Sequence, residues 1–126
     1  MTKAKAIHDF WASFGLKAYE ETTVPTGESQ PEPPYITYAS RTDSIGNVIS
    51  LTGSVWYRSM SWLTVEAKAE EIARKVGEAG FYSAKVDGGY LWITKGSPFA
   101  QRIADPNDDT LRRIYINLQG EFLTEF

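Results

Sequence analysis

The chain has 126 residues, 13 Lys+Arg against 16 Asp+Glu, a single His and no Cys. The missing cysteine excludes disulfides, Cys-ligated zinc, iron–sulfur clusters and thiol catalysis, and one histidine excludes any site that needs two imidazoles. A net charge of −3 argues against direct nucleic-acid recognition driven by phosphate neutralisation, while 42% hydrophobic and 23% charged residues describe an ordinary globular chain.

Ala6, Ile7, Phe10, Trp11 and Phe14 recur at helical spacing ahead of Gly15. They predict a helix over about residues 3–14 whose aromatic stripe lies on a sheet or on a partner chain. Residues 16–34 follow with Thr22, Thr23, Pro25, Gly27, Ser29, Pro31, Pro33 and Pro34, a proline-punctuated stretch that reads as one long loop.

Tyr35 to Ser40 is aromatic and β-branched and reads as a strand, and the run from Thr42 to Asn47 is turn chemistry. In the next strand Ile49, Leu51, Val55 and Tyr57 alternate with Ser50, Thr52, Ser54 and Arg58. Gly53 falls on the apolar side and marks either a bulge or a close approach by the second helix. Trp56 breaks the pattern by placing a large aromatic on the polar side.

Ser61 is the expected N-cap of that second helix, and Trp62, Val65, Ala69, Ile72, Ala73 and Val76 form its apolar stripe. Glu70–Arg74 and Glu71–Lys75 are spaced as supporting i,i+4 pairs, and Gly80 ends the helix. Phe81 to Val86 and Tyr90 to Lys95 flank Asp87-Gly-Gly, a hairpin signal. Pro98 and Pro106 mark residues 96–110 as a second long loop. The last strand begins near Leu111, where Ile114, Ile116 and Leu118 alternate with Arg113, Tyr115, Asn117 and Gln119, and Phe122 continues the apolar side.

The expected order is α-β-β-α-β-β-β: an α+β fold with a mainly antiparallel sheet and two helices on one face, forming a single domain over residues 1–126. No apolar run approaches the roughly 20 residues of a membrane helix, and His8 and Asp9 interrupt the N-terminal apolar stretch, so a cytoplasmic location is expected and no membrane contact.

Chemistry-bearing motifs are sparse. His8 has only Asp9 beside it, and neighbouring helix residues do not face each other, so it reads as a surface or helix-end histidine. Asp105, Asn107 and Asp109 match the first ligands of a calcium loop, but Thr110 and Ile116 stand where that loop needs Gly and Glu, which leaves Asx-turn chemistry. No phosphate-binding glycine loop and no G-x-S-x-G occurs. Glu66, Glu70 and Glu71 are offset by Lys68, Arg74 and Lys75 on a solvated face. No catalytic residue, cofactor or metal ligand is expected.

Aromatic surface stands out instead. Tyr90 and Trp92 lie opposite Leu91 and Ile93, and Trp56 lies opposite Val55 and Tyr57, so one set of aromatics has no covering layer in a lone two-layer domain, unless a twisted sheet tucks it under the two long loops. Phe99 and Arg102, with Ile103, sit in the second loop as a docking element or fold back over their own sheet. The candidate protein–protein interface is therefore Trp56, Tyr90, Trp92, Phe99 and Arg102.

The segments Ala4 to Leu16, Pro33 to Tyr38, Ser54 to Ser59, Asp87 to Ile93 and Gly96 to Arg102 together resemble the small tail terminator (tail completion) proteins of long-tailed bacteriophages and prophages. The resemblance implies a non-catalytic virion assembly protein whose α+β fold closes into a ring, commonly hexameric. Such a ring caps the tail tube, stops its growth and presents a surface to the head connector or head completion protein. It implies self-association, a tail tube partner, and a location in the bacterial host cytoplasm during assembly and then in the virion tail. A head–tail joining or minor capsid protein is the alternative. A small enzyme or ligand-binding domain, with the aromatic face lining a pocket, belongs to a different class and lacks the convergent ionisable groups it would need.

Overall fold

The computed structural model describes residues 1–42 and 48–126, so most of the turn expected between Thr42 and Asn47 lies outside the described residues. The first helix, α1, spans Lys3–Ala12. It starts where the Thr2 hydroxyl accepts from the Lys5 backbone N–H at 3.1 Å, satisfying one of the free donors of the first turn. It stops at Ser13, whose backbone N–H and hydroxyl both donate to the Phe10 carbonyl. Gly15, at φ 81°, then turns the chain, a conformation that glycine adopts without strain.

The chain continues through β1 (Ala18–Glu20), a short 3₁₀ turn (Gly27–Ser29), β2 (Tyr35–Thr42) and β3 (Val48–Arg58). After α2 (Leu63–Gly77) come β4 (Tyr82–Val86), β5 (Gly89–Ala104) and β6 (Leu111–Thr124). One sheet holds all six strands in the order β1-β2-β3-β6-β5-β4. Only β1–β2 is parallel; the other pairs are antiparallel. The fold is thus α+β with a mostly antiparallel sheet.

Two expectations about element order need correction. The stretch 16–34 contains β1, three residues long, paired to Ile36–Tyr38, and the short 3₁₀ turn. The stretch 96–110 is a loop only after Ala104, because β5 runs on through Pro98. It does so by a register shift between Lys95 and Ala100, where four residues of β5 face the single Asn117 of β6. Proline fits there because the residues of a bulge make no ladder bond that needs its missing N–H.

Register separates the two sides of the sheet. Ile36 pairs with Val55, Tyr38 with Gly53, Gly53 with Ile116, Leu51 with Leu118, and Leu91 with Phe122, placing these apolar residues on one side. The core forms there: Phe10 and Trp11 of α1, Val65, Ile72 and Val76 of α2, and the sheet residues Ile36, Leu51, Val55, Leu91, Ile93 and Ile116 are fully buried. Phe10 meets Trp11 and Phe14 edge-on and leans on Tyr82 at 5.1 Å. Gly53 does mark a close approach, but by the first helix: the Trp11 ring lies directly over it.

The second helix differs from expectation at its start and along its outer face. Ser61 Oγ accepts from the Leu63 N–H, yet Trp62 occupies the cap position and makes no side-chain cap bond. The outer face does not use the expected i,i+4 pairs. Lys68 bonds Glu71 and the Phe14 carbonyl, and Lys75 reaches Ser13 Oγ, so the lysines tie α2 to the end of α1.

Candidate functional site

The side of the sheet away from this core carries two aromatic groups at opposite ends. At one end Trp56 Nε1 donates to Thr37 Oγ1 at 3.0 Å, and its ring stacks on Tyr35 with 6.1 Å between centroids. The Arg113 guanidinium sits 4.7 Å from the Trp56 ring, and its Nε donates to Ser54 Oγ. Tyr19 meets Tyr35 edge-on. Trp56 is therefore half-buried within a row that crosses β1, β2, β3 and β6. Burial raises the Tyr35 hydroxyl above its ordinary pKa, opposed by the nearby Arg58 charge.

At the other end the aromatics are open. Tyr90 is 51% and Trp92 39% exposed, joined by Phe81, Leu123 and Val48 at 38–42%. Phe81 stacks flat on Trp92, centroids 4.4 Å apart. Tyr90 is opposite Leu123, while Trp92 and Val48 flank Glu121 from either side. These five residues form an exposed apolar patch on the described surface.

Phe99 and Arg102 belong to the other layer. The register shift in β5 exchanges its inward and outward positions, so Ala100 pairs with Ile116 and Arg102 with Ile114, both core positions. Arg102 thereby reaches α2, pairing with Glu66 and lying 5.0 Å from the Trp62 ring centroid. Arg112 also approaches that ring, at 5.3 Å, while donating to the Met60 and Asp109 carbonyls. Phe99 packs against the core rim and lines a shallow cavity of about 290 Å³ with Ala69, Ala73, Ala100 and Arg102. Met60 and Leu63, 70% and 78% exposed, project at the start of α2.

Several other polar groups bond within the chain. His8 Nδ1 lies 3.0 Å from the Tyr38 hydroxyl, so this histidine is half-buried against β2 rather than free at the surface. Asp105 accepts from the Asn107 N–H and Asp108 from the Thr110 N–H, the Asx-turn chemistry expected of this segment. Asp108 also accepts from the Thr110 hydroxyl and from Arg58, and these donors hold its carboxyl down at about 2. Among the described residues no group of three or more acidic or histidine side chains is placed to hold a metal ion. Among the described residues no helix is long and apolar enough to cross a membrane.

Of the five sequence-selected residues, the structure brings Tyr90 and Trp92 together, leaves Trp56 at the far end of the same side, and moves Phe99 and Arg102 beside α2. Phe81, Leu123 and Val48 join this patch without a signal of their own in the sequence. Each stands at the edge of its strand pattern, and only the pairing of β4, β5, β6 and β3 gathers them.

No protein-family profile matches the chain, and no curated protein matches it in sequence. Among solved structures it is similar to a chain in the virion of a native gene transfer agent (GTA) particle. The TM-score is 0.50 and the identity 17%, over 89% of this chain and 82% of that one. What the two share is a fold.

Proposed function

We propose that the chain is a structural component of a phage-type virion and, within it, a tail terminator that closes the tail tube as a ring and joins it to the head connector. The observation that carries this reading is the fold shared, over most of both chains, with a protein of a GTA virion. A ring built by rotation needs two different, complementary patches on each subunit. The chain offers unlike surfaces on its two layers: the aromatics Trp56, Tyr90 and Trp92 on the open side of the sheet, and Phe99 with Arg102 beside α2. Its partners in this reading are further copies of itself, the tail tube protein and the head completion protein.

The test is made in particles assembled with altered chains and viewed by electron microscopy. Loss of the chain should give tails of uncontrolled length that lack heads. Tails of normal length without heads would favour the head–tail joining role instead. Phe99→Asp should reproduce the defect in part, and unchanged tail length and head attachment would remove Phe99 from the contact.

A further inference from the structure

We infer that β1 of one copy completes the open border of β5 in the next, with Glu20 opposite Arg102 and Ala18 opposite Ala104. The inference rests on the ring reading for the side-by-side placement of copies, and deepens it by naming the joint. The sheet is incomplete at both ends, in different places. At one end β1 covers only Ile36–Tyr38 of β2. At the other, β4 covers β5 as far as Ile93, and Ala100–Ala104 has no outer partner among the described residues. The two stretches lie at the same height in the sheet: Ala18 pairs with Ile36, Ile36 with Val55, Val55 with Ile114, and Ile114 with Arg102. The same pairings make β1 run opposite to β5. A copy set alongside in the same orientation therefore offers β1 to that border as an antiparallel strand.

The backbones also have matching phase. Along an antiparallel ladder, successive residues turn their N–H and C=O alternately toward one neighbouring strand and the other. The Ile36 N–H donates to the Lys17 carbonyl, so Ile36 turns toward β1. Val55 then turns toward β6 and Ile114 toward β3, which leaves Arg102, with Ala100 and Ala104, turned outward. The same bond turns the Lys17 carbonyl inward, and Ala18 and Glu20 outward. On both strands the outward residues carry their side chains on the helix side, so the two stretches join as one sheet with neither face turned over. The Glu20 carbonyl is taken by Thr23, which leaves both Ala18 groups and the Glu20 N–H to bond across the joint. Within Ala100–Ala104 this phase admits two antiparallel registers, and charge separates them. One sets Ala18 against Arg102 and Glu20 against Ala100. The other sets Glu20 against Arg102 and, at its far end, Lys17 against Asp105. Lys17, Glu20 and Asp105 make no ion pair among the described residues. On the open side Tyr19, the last ring of the row from Trp56 and Tyr35, then comes to lie against Ile103 of the next copy.

The experiment is disulfide cross-linking of the full chain, alone and in assembled particles; the chain has no cysteine of its own. A hydrogen-bonded antiparallel pair holds its Cα atoms about 5.5 Å apart, inside the roughly 4.4–6.8 Å that a disulfide spans. Under mild oxidation, Ala18→Cys mixed with Ala104→Cys should give linked dimers with one copy of each. Neither variant alone should link, and the doubly substituted chain should give a ladder of larger species. Lys17→Cys with Asp105→Cys, another pair of the same register, supplies a second link, and thermal unfolding shows that each variant folds. Ala18→Cys with Arg102→Cys, the other register, should link at least about fivefold more slowly. Lys17→Glu, set against Asp105, should slow the Ala18–Ala104 link severalfold. Absence of mixed dimers from both pairs overturns the inference, as does equal linking by the single variants. Faster linking through Arg102→Cys, or no effect of Lys17→Glu, overturns the register. Particles whose tails end normally although neither pair links remove this joint and leave the terminator reading in place. Mixed dimers from a chain whose loss alters neither tail length nor head attachment keep the joint and remove that reading.

Discussion

Replacing Gly53 with Ala puts one methyl group against the best-packed aromatic of the core. A Cβ at this position would lie 2.6, 2.8 and 3.0 Å from Cη2, Cζ3 and Cζ2 of Trp11. Ordinary carbon contacts run at about 3.5–4.0 Å, so roughly 1 Å of movement is demanded. The indole has nowhere to go: Trp11 is fully buried, stacked on Tyr38 at 6.4 Å and held edge-on by Phe10 at 5.1 Å. Overpacking of this kind costs about 1–3 kcal/mol, and removing a glycine from a strand returns about 0.5–1 kcal/mol. The net expectation is a loss of roughly 0.5–2 kcal/mol, or a fall in Tm of roughly 2–8 °C for a chain of this size. Urea unfolding followed by tryptophan fluorescence measures it. The three clashing atoms all belong to the benzo ring, which Trp11→Phe removes. In that background Gly53→Ala should therefore be neutral or stabilising. An equal loss in both backgrounds would refute the reasoning, because the cost would then not come from Trp11.

Ile72 is fully buried where α2 meets the sheet. Ile72→Ala should cost about 2–5 kcal/mol in the same unfolding assay, whereas Lys85→Ala on the exposed side should stay within about 0.5 kcal/mol. The Asp108 carboxyl should titrate at about 2 in an NMR pH series, below its ordinary 3.8. Since the folded value lies below the unfolded one, these loop contacts favour folding above about pH 4, and that contribution fades as the pH falls toward 2. Thr110→Val removes the first of the donors and should raise the midpoint toward the ordinary value; a midpoint that does not move would show that the hydroxyl is not holding the charge.

The helices, the Asp87-Gly-Gly hairpin and the alternation of β6 were legible because their signals are local. Periodicity picks out Ala6, Ile7, Phe10, Trp11 and Phe14, and Val65, Ala69, Ile72 and Val76 of α2, all of which the core buries, while Trp62 and Ala73 of the α2 stripe stay partly exposed. What escaped the sequence depends on distant partners. β1 is too short for any pattern of its own and exists because Ala18–Glu20 pair with Ile36–Tyr38. The sequence pattern of β5 ends before Gly96 because its alternation changes phase there: Leu91 and Ile93 lie on the helix side before the shift, and the exposed Ala100 and Arg102 lie on it afterwards. A reader counting every second residue loses the strand at that point, and with it the destination of Phe99 and Arg102. The open side was anticipated from Tyr90 and Trp92, but its extent was not. Phe81 enters the patch by stacking on Trp92, and Leu123 by standing opposite Tyr90, which are facts of pairing rather than of composition.

The same phase change bears on the open border of the sheet. Among the described residues no strand pairs with β5 beyond Ile93 on its outer side, so the segment to Ala104 is an open sheet border. Such a border normally templates the addition of further strands and invites uncontrolled stacking. Here an incoming strand finds the regular frame only from Ala100 to Ala104, five residues, and meets the Arg102 charge within it. Ahead of that stretch the frame is interrupted, Pro98 supplies no N–H, and Lys95 adds a second charge. The irregularity that carries Arg102 to α2 also keeps a long edge from acting as a long template.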